Sequence, residues 1–409
     1  MKKNLKLGLF GFGCVGQGLY HVLHETKGIK AEIKKICVKN PTKKRSLPDH
    51  FFTLNAEDIL LDPEIDVVVE LIDDASAAFS ITKKALQNGK HVVTANKKML
   101  AENLEEIFHL QQQYDKSVLY EGAVCGSIPI LRNLEEYYDN DLISGIEGIF
   151  NGSTNYILTK VFEERKNYAD ALRQAQELGF AESDPSLDVK GFDPKFKLVI
   201  AIVHAFGVFV KPEHIFNIGI DGISDLDLKF AREKGYGIKL VARAIKSGNE
   251  VFGLVAPQFV DPHHPLSSVR NEYNAVTVQG AFSEKQLFVG KGAGSYPTGS
   301  AVLSDISALT YDYRYEYKKL HQQANLEFSN ESSIEAFVRF PHGTAISIQD
   351  FEEFQSGYAS NGQHYMLGRV NLKKLAEWAT WENVGIILSP EARFITKAEK
   401  SEVLTYSAA

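Results

Sequence analysis

The sequence predicts an α/β protein. Its N-terminal part is a doubly wound parallel sheet, followed by an α+β region and a small C-terminal α/β module. Three observations carry this. Residues 5–130 alternate short β-branched runs with amphipathic segments, the pattern of βαβ units whose sheet is covered on both faces. A glycine-rich turn, Gly11-Phe12-Gly13-Cys14-Val15-Gly16, joins the first apolar run to the first helical pattern. After about residue 130 the alternation gives way to longer strand-like pieces mixed with helices, as in a mixed sheet.

In order, the first region has strands at Leu5–Phe10, Glu32–Val38, Val67–Ile72, His91–Thr94 and Val118–Glu121, with helical patterns such as Gly16–Glu25 and Ala78–Asn88 between them. The second has strands at Ile143–Phe150, Glu250–Pro257, Ala275–Gly280 and Gln286–Gly290. Its helices are Tyr156–Arg165, Tyr168–Leu178, Pro194–Phe206 and Asp225–Lys234, and Gly235–Gly248 forms a further strand with a turn. Residues 299–317 are expected to be helical and 318–333, which are polar, to be a linker. The last 75 or so residues suggest a strand (Glu335–Phe340), a helix pair, a strand (Gly385–Leu388) and a frayed tail. The boundaries are therefore 1–130 for a nucleotide-binding domain completed by about 299–317, 131–298 for a second domain, and 330–409 for the C-terminal module.

Composition narrows the function. The chain has 409 residues, 44% hydrophobic and 24% charged, in the ordinary globular range and outside the disordered and fibrous classes. Its 45 basic and 52 acidic residues leave a net charge of −7, which argues against a nucleic-acid or anionic-membrane binder. No apolar stretch reaches the roughly 18 residues of a membrane span. The N-terminal MKKNLKLGLFGFG runs straight into glycines, so a first strand is expected rather than a signal peptide. Cys14, Cys37 and Cys125 form no CxxC or Cys/His cluster; no disulfide framework or structural zinc is expected, and a reducing cytoplasm fits.

The glycine turn has a mechanism. Gly11 permits the tight turn, Gly13 lets the backbone approach a pyrophosphate, and Gly16 allows close helix–strand packing. The following helix N-terminus offers N–H groups to the phosphates. With a strand before it and a helix after it, this is the Rossmann-type fingerprint. An NAD site usually has an acidic residue at the end of the second strand. Here that strand ends in Val38-Lys39-Asn40-Pro41-Thr42-Lys43-Lys44-Arg45, which suits the 2′-phosphate of NADP, although a charge run in a loop can equally be solvated.

Two further segments carry chemistry. Thr94-Ala95-Asn96-Lys97-Lys98 puts lysines just past the C-terminal edge of a strand, where ligands of open α/β sheets bind, with a solvated surface pair as the competing reading. Residues 179–197, GFAESDPSLDVKGFDPKFK, hold four carboxylates and three lysines ahead of an apolar helix. Asp193 sits where an N-cap is wanted and Pro194 at the first helical position. Asp193 and Lys197, four apart, share one helix face and would make a proton-transfer pair in a cleft, with a pure helix cap as the competing reading of Asp193. Glu182 suits a substrate ammonium; for Glu182, Asp184 and Asp188 a polar loop with Asx turns is the competing reading.

Together these stretches resemble homoserine dehydrogenase: GFGCVGQG, ELI at 70–72, GKHVVTANKKMLA, YEGAVCGSIPI, GIFNGSTNYIL, ELGFAESDPSLDVKGFDPKFKL, HPL at 264–266 and GKGAGSYPTGSAV. The resemblance covers roughly residues 5 to 310. It implies interconversion of L-aspartate 4-semialdehyde and L-homoserine with NAD(P), in threonine and methionine synthesis. It implies Lys197 and Lys97 as catalytic lysines, Lys197 acting directly or through a water it orients with Asp193. Glu182, Asp188, Gly152 and Lys197 are implied as substrate contacts. Phe12, Gly13, Val15, Ala95, Lys97 and Gly294 match cofactor positions, beside Gly11 and Gly16 of the turn. Glu121, Val124, Gly126 and Ile128 match a structural sodium site built mostly of backbone carbonyls. A homodimer through the second domain is implied, and tetramers also occur in the family.

The sequence departs from the family at Asp73-Asp74 in place of Gly-Gly, at Phe180 in place of Tyr, and at Asn40 in place of an acidic residue. The C-terminal region is expected to be a degenerate ACT-like module, since Phe340-Pro341-His342-Gly343-Thr344-Ala345 follows a strand without that family's Pro-Gly-Val-Leu loop. Two alternatives stay open at this stage. One is a phosphorylating semialdehyde dehydrogenase with Cys125 as nucleophile. The other is a non-catalytic NADP-binding sensor. The histidines, including His263-His264, show no metal-ligand spacing, and Trp378 and Trp381 suggest packing.

Overall fold

A computed structural model describes residues 4–140, 142–322, 325–360 and 362–396. They divide into two compact units. Of the described residues, the first comprises those within 1–140, 199–209 and 290–322, and the second those within 141–198, 210–289 and 323–409.

The first unit holds the parallel sheet: β1 (Leu5–Phe10), β2 (Ala31–Cys37), β3 (Phe52–Thr53), β4 (Val67–Glu70), β5 (His91–Thr94) and β6 (Val118–Leu119), in the order β3-β2-β1-β4-β5-β6. All its pairings are parallel. This is the doubly wound order whose switch point lies between β1 and β4. Val67, Val68 and Val69 are fully buried, as a strand covered on both faces must be. Helices Cys14–Glu25, Ala75–Gln87 and Lys97–Tyr114 connect the strands. Helix Ser295–Leu309 packs against Cys14–Glu25 at a glycine contact, where a Cβ on Gly18 would lie 2.1 Å from the Ser295 carbonyl oxygen.

The helix expected over 299–317 runs instead from Ser295 to Leu309. Asp312 takes a positive φ, and the tyrosines that follow alternate, with Tyr315 and Tyr317 buried and Arg314 and Glu316 exposed. That period of two belongs to extended chain, not helix. The expected linker is also ordered over its described residues. Lys319 is buried with its ammonium on the carbonyl oxygens of Leu134 and His204.

The second unit is built on a mixed sheet of twelve strands among the described residues. They are β7 (Ile143–Ile149), β8 (Phe216–Asn217), β9 (Gly237–Ser247), β10 (Glu250–Val260), β11 (Tyr273–Gly280), β12 (Glu284–Lys291), β13 (Glu327–Phe328), β14 (Ser332–Pro341), β15 (Glu353–Ser360), β16 (Gln363–Asn371), β17 (Gly385–Leu388) and β18 (Ile395–Thr396). The main path is β12-β11-β7-β9-β10-β17-β14-β16-β15. Strands β9 and β10 pair antiparallel over eleven residues, and β17 carries the sheet on from β10 at Gln258↔Leu388. The C-terminal region is thus the far wing of this sheet.

The helix pair expected there is one helix, Leu372–Trp378, preceded by the β15–β16 hairpin. The succession is β14, a single 3-10 turn (Ile348–Asp350), β15, β16, helix and β17, a βαββαβ order with its first helix reduced to one turn. Its core packs Ile334, Ala336 and Val338 against Leu372, Leu375 and Trp378. No helix among the described residues is long and apolar enough to cross a membrane.

Candidate active site

The glycine turn is shaped by its backbone. Gly11 ends β1 with φ +92°, and a Cβ there would lie 2.6 Å from the Leu71 carbonyl oxygen. Gly13 is the N-cap of helix Cys14–Glu25, with no capping side chain, and a Cβ built on it meets nothing within 4 Å. That open space beside unpaired helix N–H groups is what a pyrophosphate needs. Gly16 presses against the Gly11 carbonyl oxygen. Phe12 is buried edge-on to Phe52, and Val15 is half-buried. Gly294 is the N-cap of Ser295–Leu309, and Ser295 Oγ donates to the Cys14 carbonyl oxygen at 2.8 Å, which brings Gly294 to the same turn.

The loop after β2 is cationic. Asn40 Oδ1 accepts from the Thr42 N–H at 2.9 Å, and Arg45 donates to the carbonyls of Lys43 and Asn40 with its guanidinium over the Phe52 ring. Lys39, Lys43 and Lys44 are exposed and make no ion pair with any described residue.

Sequence reasoning missed the support between β4 and β5. Buried Glu70 accepts from the Thr94 hydroxyl at 2.6 Å and from the Ile72 N–H at 2.7 Å, and Asn96 Nδ2 donates to the Ile72 carbonyl at 3.0 Å. Burial pushes the Glu70 carboxyl up to about 7. Asn96 also caps helix Lys97–Tyr114, so Ala95 and Lys97 stand half-buried on either side of the cap. A lysine there opposes the helix dipole, so helix stability does not explain it. Half of the Asp73-Asp74 departure has a structural role: Asp74 Oδ1 accepts from the Ala77 N–H and caps the next helix, while nothing in the structure explains Asp73.

The residues expected to form a sodium site lie in the same unit. Glu121, Val124, Gly126 and Ile128 are buried, with Cys125 and Gly126 both at positive φ. The carbonyl oxygens of Val124 and Gly126 accept no hydrogen bond from any described residue. Two orphaned hard oxygens in a buried turn fit a small cation. The Glu121 carboxylate is itself occupied by the N–H groups of Leu131 and Arg132, each at 2.9 Å. Cys125 is fully buried, unlike an accessible nucleophile.

The proton-transfer cluster lies in the second unit. Helix Phe192–Phe206 begins one residue before the expected cap, so Asp193 is inside its first turn. Asp193 and Lys197 are only 4% and 6% exposed. Lys197 Nζ donates to Asp193 Oδ2 at 2.8 Å and to the Phe150 carbonyl oxygen at 2.7 Å. An ammonium has three N–H groups, so one remains for a ligand. Asn151, which the residue-level reasoning passed over, organises the rest. Its Oδ1 accepts from the Thr154 N–H, while its Nδ2 donates to Asp193 Oδ2 at 2.8 Å and to Asp188 Oδ1 at 2.7 Å. The signal was present: Asn ahead of Gly-Ser-Thr is an N-cap pattern. Burial, then the neighbouring Asp193 charge, pushes the Asp188 carboxyl up.

Gly152 opens helix Gly152–Glu163, where a Cβ would lie 2.5 Å from the Glu272 carbonyl oxygen. Glu182 is exposed on the loop, and its carboxylate has no hydrogen-bond partner among the described residues. Asp184 makes the Asx turn, accepting from the Ser186 N–H and hydroxyl. The structure therefore gathers Asp188, Asp193 and Lys197 around Asn151 and leaves Glu182 outside that hydrogen-bonded group.

Comparison with known proteins agrees. Residues 11–121 match the model for the homoserine dehydrogenase NAD binding domain, and 129–307 the model for homoserine dehydrogenase. The homoserine dehydrogenase of Bacillus subtilis is 39% identical over 321 residues, 76% of this chain and 74% of that protein. That of Synechocystis is 40% identical over 315 residues, 74% of this chain and 72% of that protein. Among solved structures, a homoserine dehydrogenase from Thiobacillus denitrificans superposes with TM-score 0.84 at 30% identity, covering 95% of this chain and 98% of that one. A hyperthermophilic archaeal homoserine dehydrogenase mutant in complex with NADPH gives TM-score 0.66 at 25% identity, covering 76% of this chain and 99% of that one. The chain belongs to the homoserine dehydrogenase family of oxidoreductases.

Proposed function

We propose that the chain reduces L-aspartate 4-semialdehyde to L-homoserine, with NADPH preferred over NADH, as a step of threonine and methionine synthesis. The observation that carries this is the buried Lys197 ammonium, held by Asp193 and the Phe150 carbonyl with one N–H left over. A bound nicotinamide supplies the hydride that reduces the carbonyl carbon. Lys197 directs its remaining N–H at the carbonyl oxygen and passes it the proton as the C–O bond becomes an alkoxide, general acid catalysis by an already charged group. The Lys197 amine then regains a proton from solvent. Asp193 and Asn151 are positioning residues that keep the ammonium aimed. Lys97 is a second cation for the developing alkoxide. Glu182 takes the substrate ammonium, with Asp188 and Gly152 beside the substrate.

The cofactor contacts are Gly11, Phe12, Gly13, Val15, Gly16, Ala95, Lys97 and Gly294, and Lys39, Lys43 and Lys44 provide the charge that favours a 2′-phosphate. The carbonyls of Val124 and Gly126, with Glu121 and Ile128, would hold a structural sodium ion. The chain acts as a cytoplasmic homodimer, or a tetramer, through its second unit. Support for this is the apolar surface of edge strand β12 and its turn, where Phe282, Leu287 and Val289 are exposed.

The test is oxidation of NADPH and of NADH with aspartate 4-semialdehyde as acceptor. Turnover with both, and a higher kcat/KM for NADPH, is the expected result. Turnover with NADH alone would overturn the coenzyme assignment, and none with either, in protein that binds NADPH, would overturn the reaction.

A further inference from the structure

Lys239, on β9, is 7% exposed and has no carboxylate partner among the described residues. Its Nζ donates to Asn155 Oδ1 at 2.9 Å and to the Val269 carbonyl oxygen at 2.6 Å. The charges that act on it are those of Glu163 and Arg270, and these pair with each other at 2.5 Å. On β10 the residue opposite is Gln258, which is uncharged. Burial pushes the ammonium down to about 8. Stability alone does not account for a cation here, because an apolar side chain of the same volume would fill the place without the desolvation cost.

What the ammonium joins is more telling. Val269 opens the short segment 269–273, and Asn155 lies on helix Gly152–Glu163. Asn155 Nδ2 donates to the carbonyls of Val269 and Tyr273, at 3.3 and 3.1 Å. The Asn271 N–H donates to Thr159 Oγ1 on the same helix at 3.0 Å, with Asn271 at positive φ. The segment is thus tied to the helix at several points, with Lys239 bridging the two. Between those ties the Glu272 carbonyl presses on Gly152, where a Cβ would lie 2.5 Å from its oxygen. The helix is also the one that Asn151 caps, and the Asn155 N–H donates to the Asn151 carbonyl oxygen at 3.3 Å. Lys239 therefore reaches, through Asn155, the residue whose amide holds Asp188 and Asp193.

We propose that Lys239 is a positioning residue of the reaction. It clamps segment 269–273 to helix Gly152–Glu163, so that Gly152 stays beside the substrate and the Asn151 amide stays on the carboxylates that aim Lys197. The ammonium touches no reacting atom, and its effect passes through Asn155 and Asn151. This rests on the reaction proposed above.

Steady-state kinetics of Lys239→Met with aspartate 4-semialdehyde and NADPH tests this, with the fold checked by Tm. The kcat should fall at least about fivefold and the KM for the semialdehyde should rise, while the dissociation constant for NADPH stays within about twofold of wild type. Asn155→Ala cuts the same clamp from the helix side. It should show the same split, and it decides the matter should Lys239→Met fail to fold. The double variant Lys239→Met/Asn151→Ala separates a clamp from mere packing. Because the clamp acts through Asn151, its loss in kcat should fall at least about threefold short of the product of the two single losses. Folded variants with wild-type kcat and KM would overturn the proposal, and so would single losses that simply multiply. Wild type in the same assay keeps the two readings apart. No turnover by wild type overturns the reaction and the clamp with it; normal turnover by wild type and by the clamp variants overturns the clamp alone.

Discussion

The glycine turn in the first unit and the lysine–carboxylate cluster in the second are built from different materials. The turn works by what is missing: Gly13 has no side chain, and a Cβ on it would meet open space. The cluster works by what is packed in. Two carboxylates and an ammonium are held in one buried group by the amide of Asn151 and a backbone carbonyl. A backbone cradle tolerates changes around it but no added atoms. A buried ionic group tolerates added volume poorly and the loss of a charge worse. The two regions should therefore fail differently when mutated, one in binding and the other in turnover.

The largest difference is expected at Asp193. Asp193→Ala leaves the Lys197 ammonium buried beside a carbonyl alone, and kcat should fall about 10²-fold or more with little change in the KM for NADPH. A fall confined to KM would break the contrast. Next comes the turn itself. Gly13→Val should raise the KM for both coenzymes at least about tenfold while Tm stays near wild type, because the new atoms meet only the phosphate's space. Gly11→Val, by contrast, forces a side chain into a positive φ and against the Leu71 carbonyl, and should cost about 1–3 kcal/mol in denaturant unfolding.

Asn151→Ala should show both signatures. It removes a helix cap worth about 1 kcal/mol, read as a lower Tm. It also frees Asp188 and Asp193 from a shared donor, and kcat should drop about tenfold. At Glu70 the effect is on stability alone, and pH is the probe. Its folded value, about 7, lies above the ordinary 4.5, so folding takes up a proton. Stability from this group is full below pH 4.5 and is lost as pH rises through 7. Denaturant unfolding between pH 5 and pH 8 should therefore cost Glu70→Gln about 1–3 kcal/mol less than it costs wild type.

The same contrast explains what was legible in the sequence. The parallel sheet and the glycine turn rest on local patterns, runs of Val and Ile between helical periods and three glycines at fixed spacing, and every expected strand of the first unit is found. Glu121, placed at the end of the last one, lies instead in a 3-10 turn. Patterns with a competing period were misread. Tyr311 to Tyr317 alternates by two at the end of a helix, and the helix expectation ran through it. The β15–β16 hairpin carries Asn361-Gly362 in its sequence, a hairpin signal that the helical expectation overrode, and Gly362 takes φ +78°. Asp193 and Lys197 were legible because they lie four apart on one helix. Asn151 and the Phe150 carbonyl were not, because they lie more than forty residues away and meet Lys197 only through tertiary packing. Glu70 is hidden for the same reason, since its partner Thr94 comes from the next strand.

The central claim is that Lys197 delivers the proton and does not merely fill the cluster. Its most direct test is turnover of aspartate 4-semialdehyde with NADPH by Lys197→Met, measured beside the dissociation constant for NADPH. The account predicts that kcat falls by about 10²- to 10⁴-fold while NADPH binds as in wild type. A variant that turns over within a few fold of wild type would contradict it.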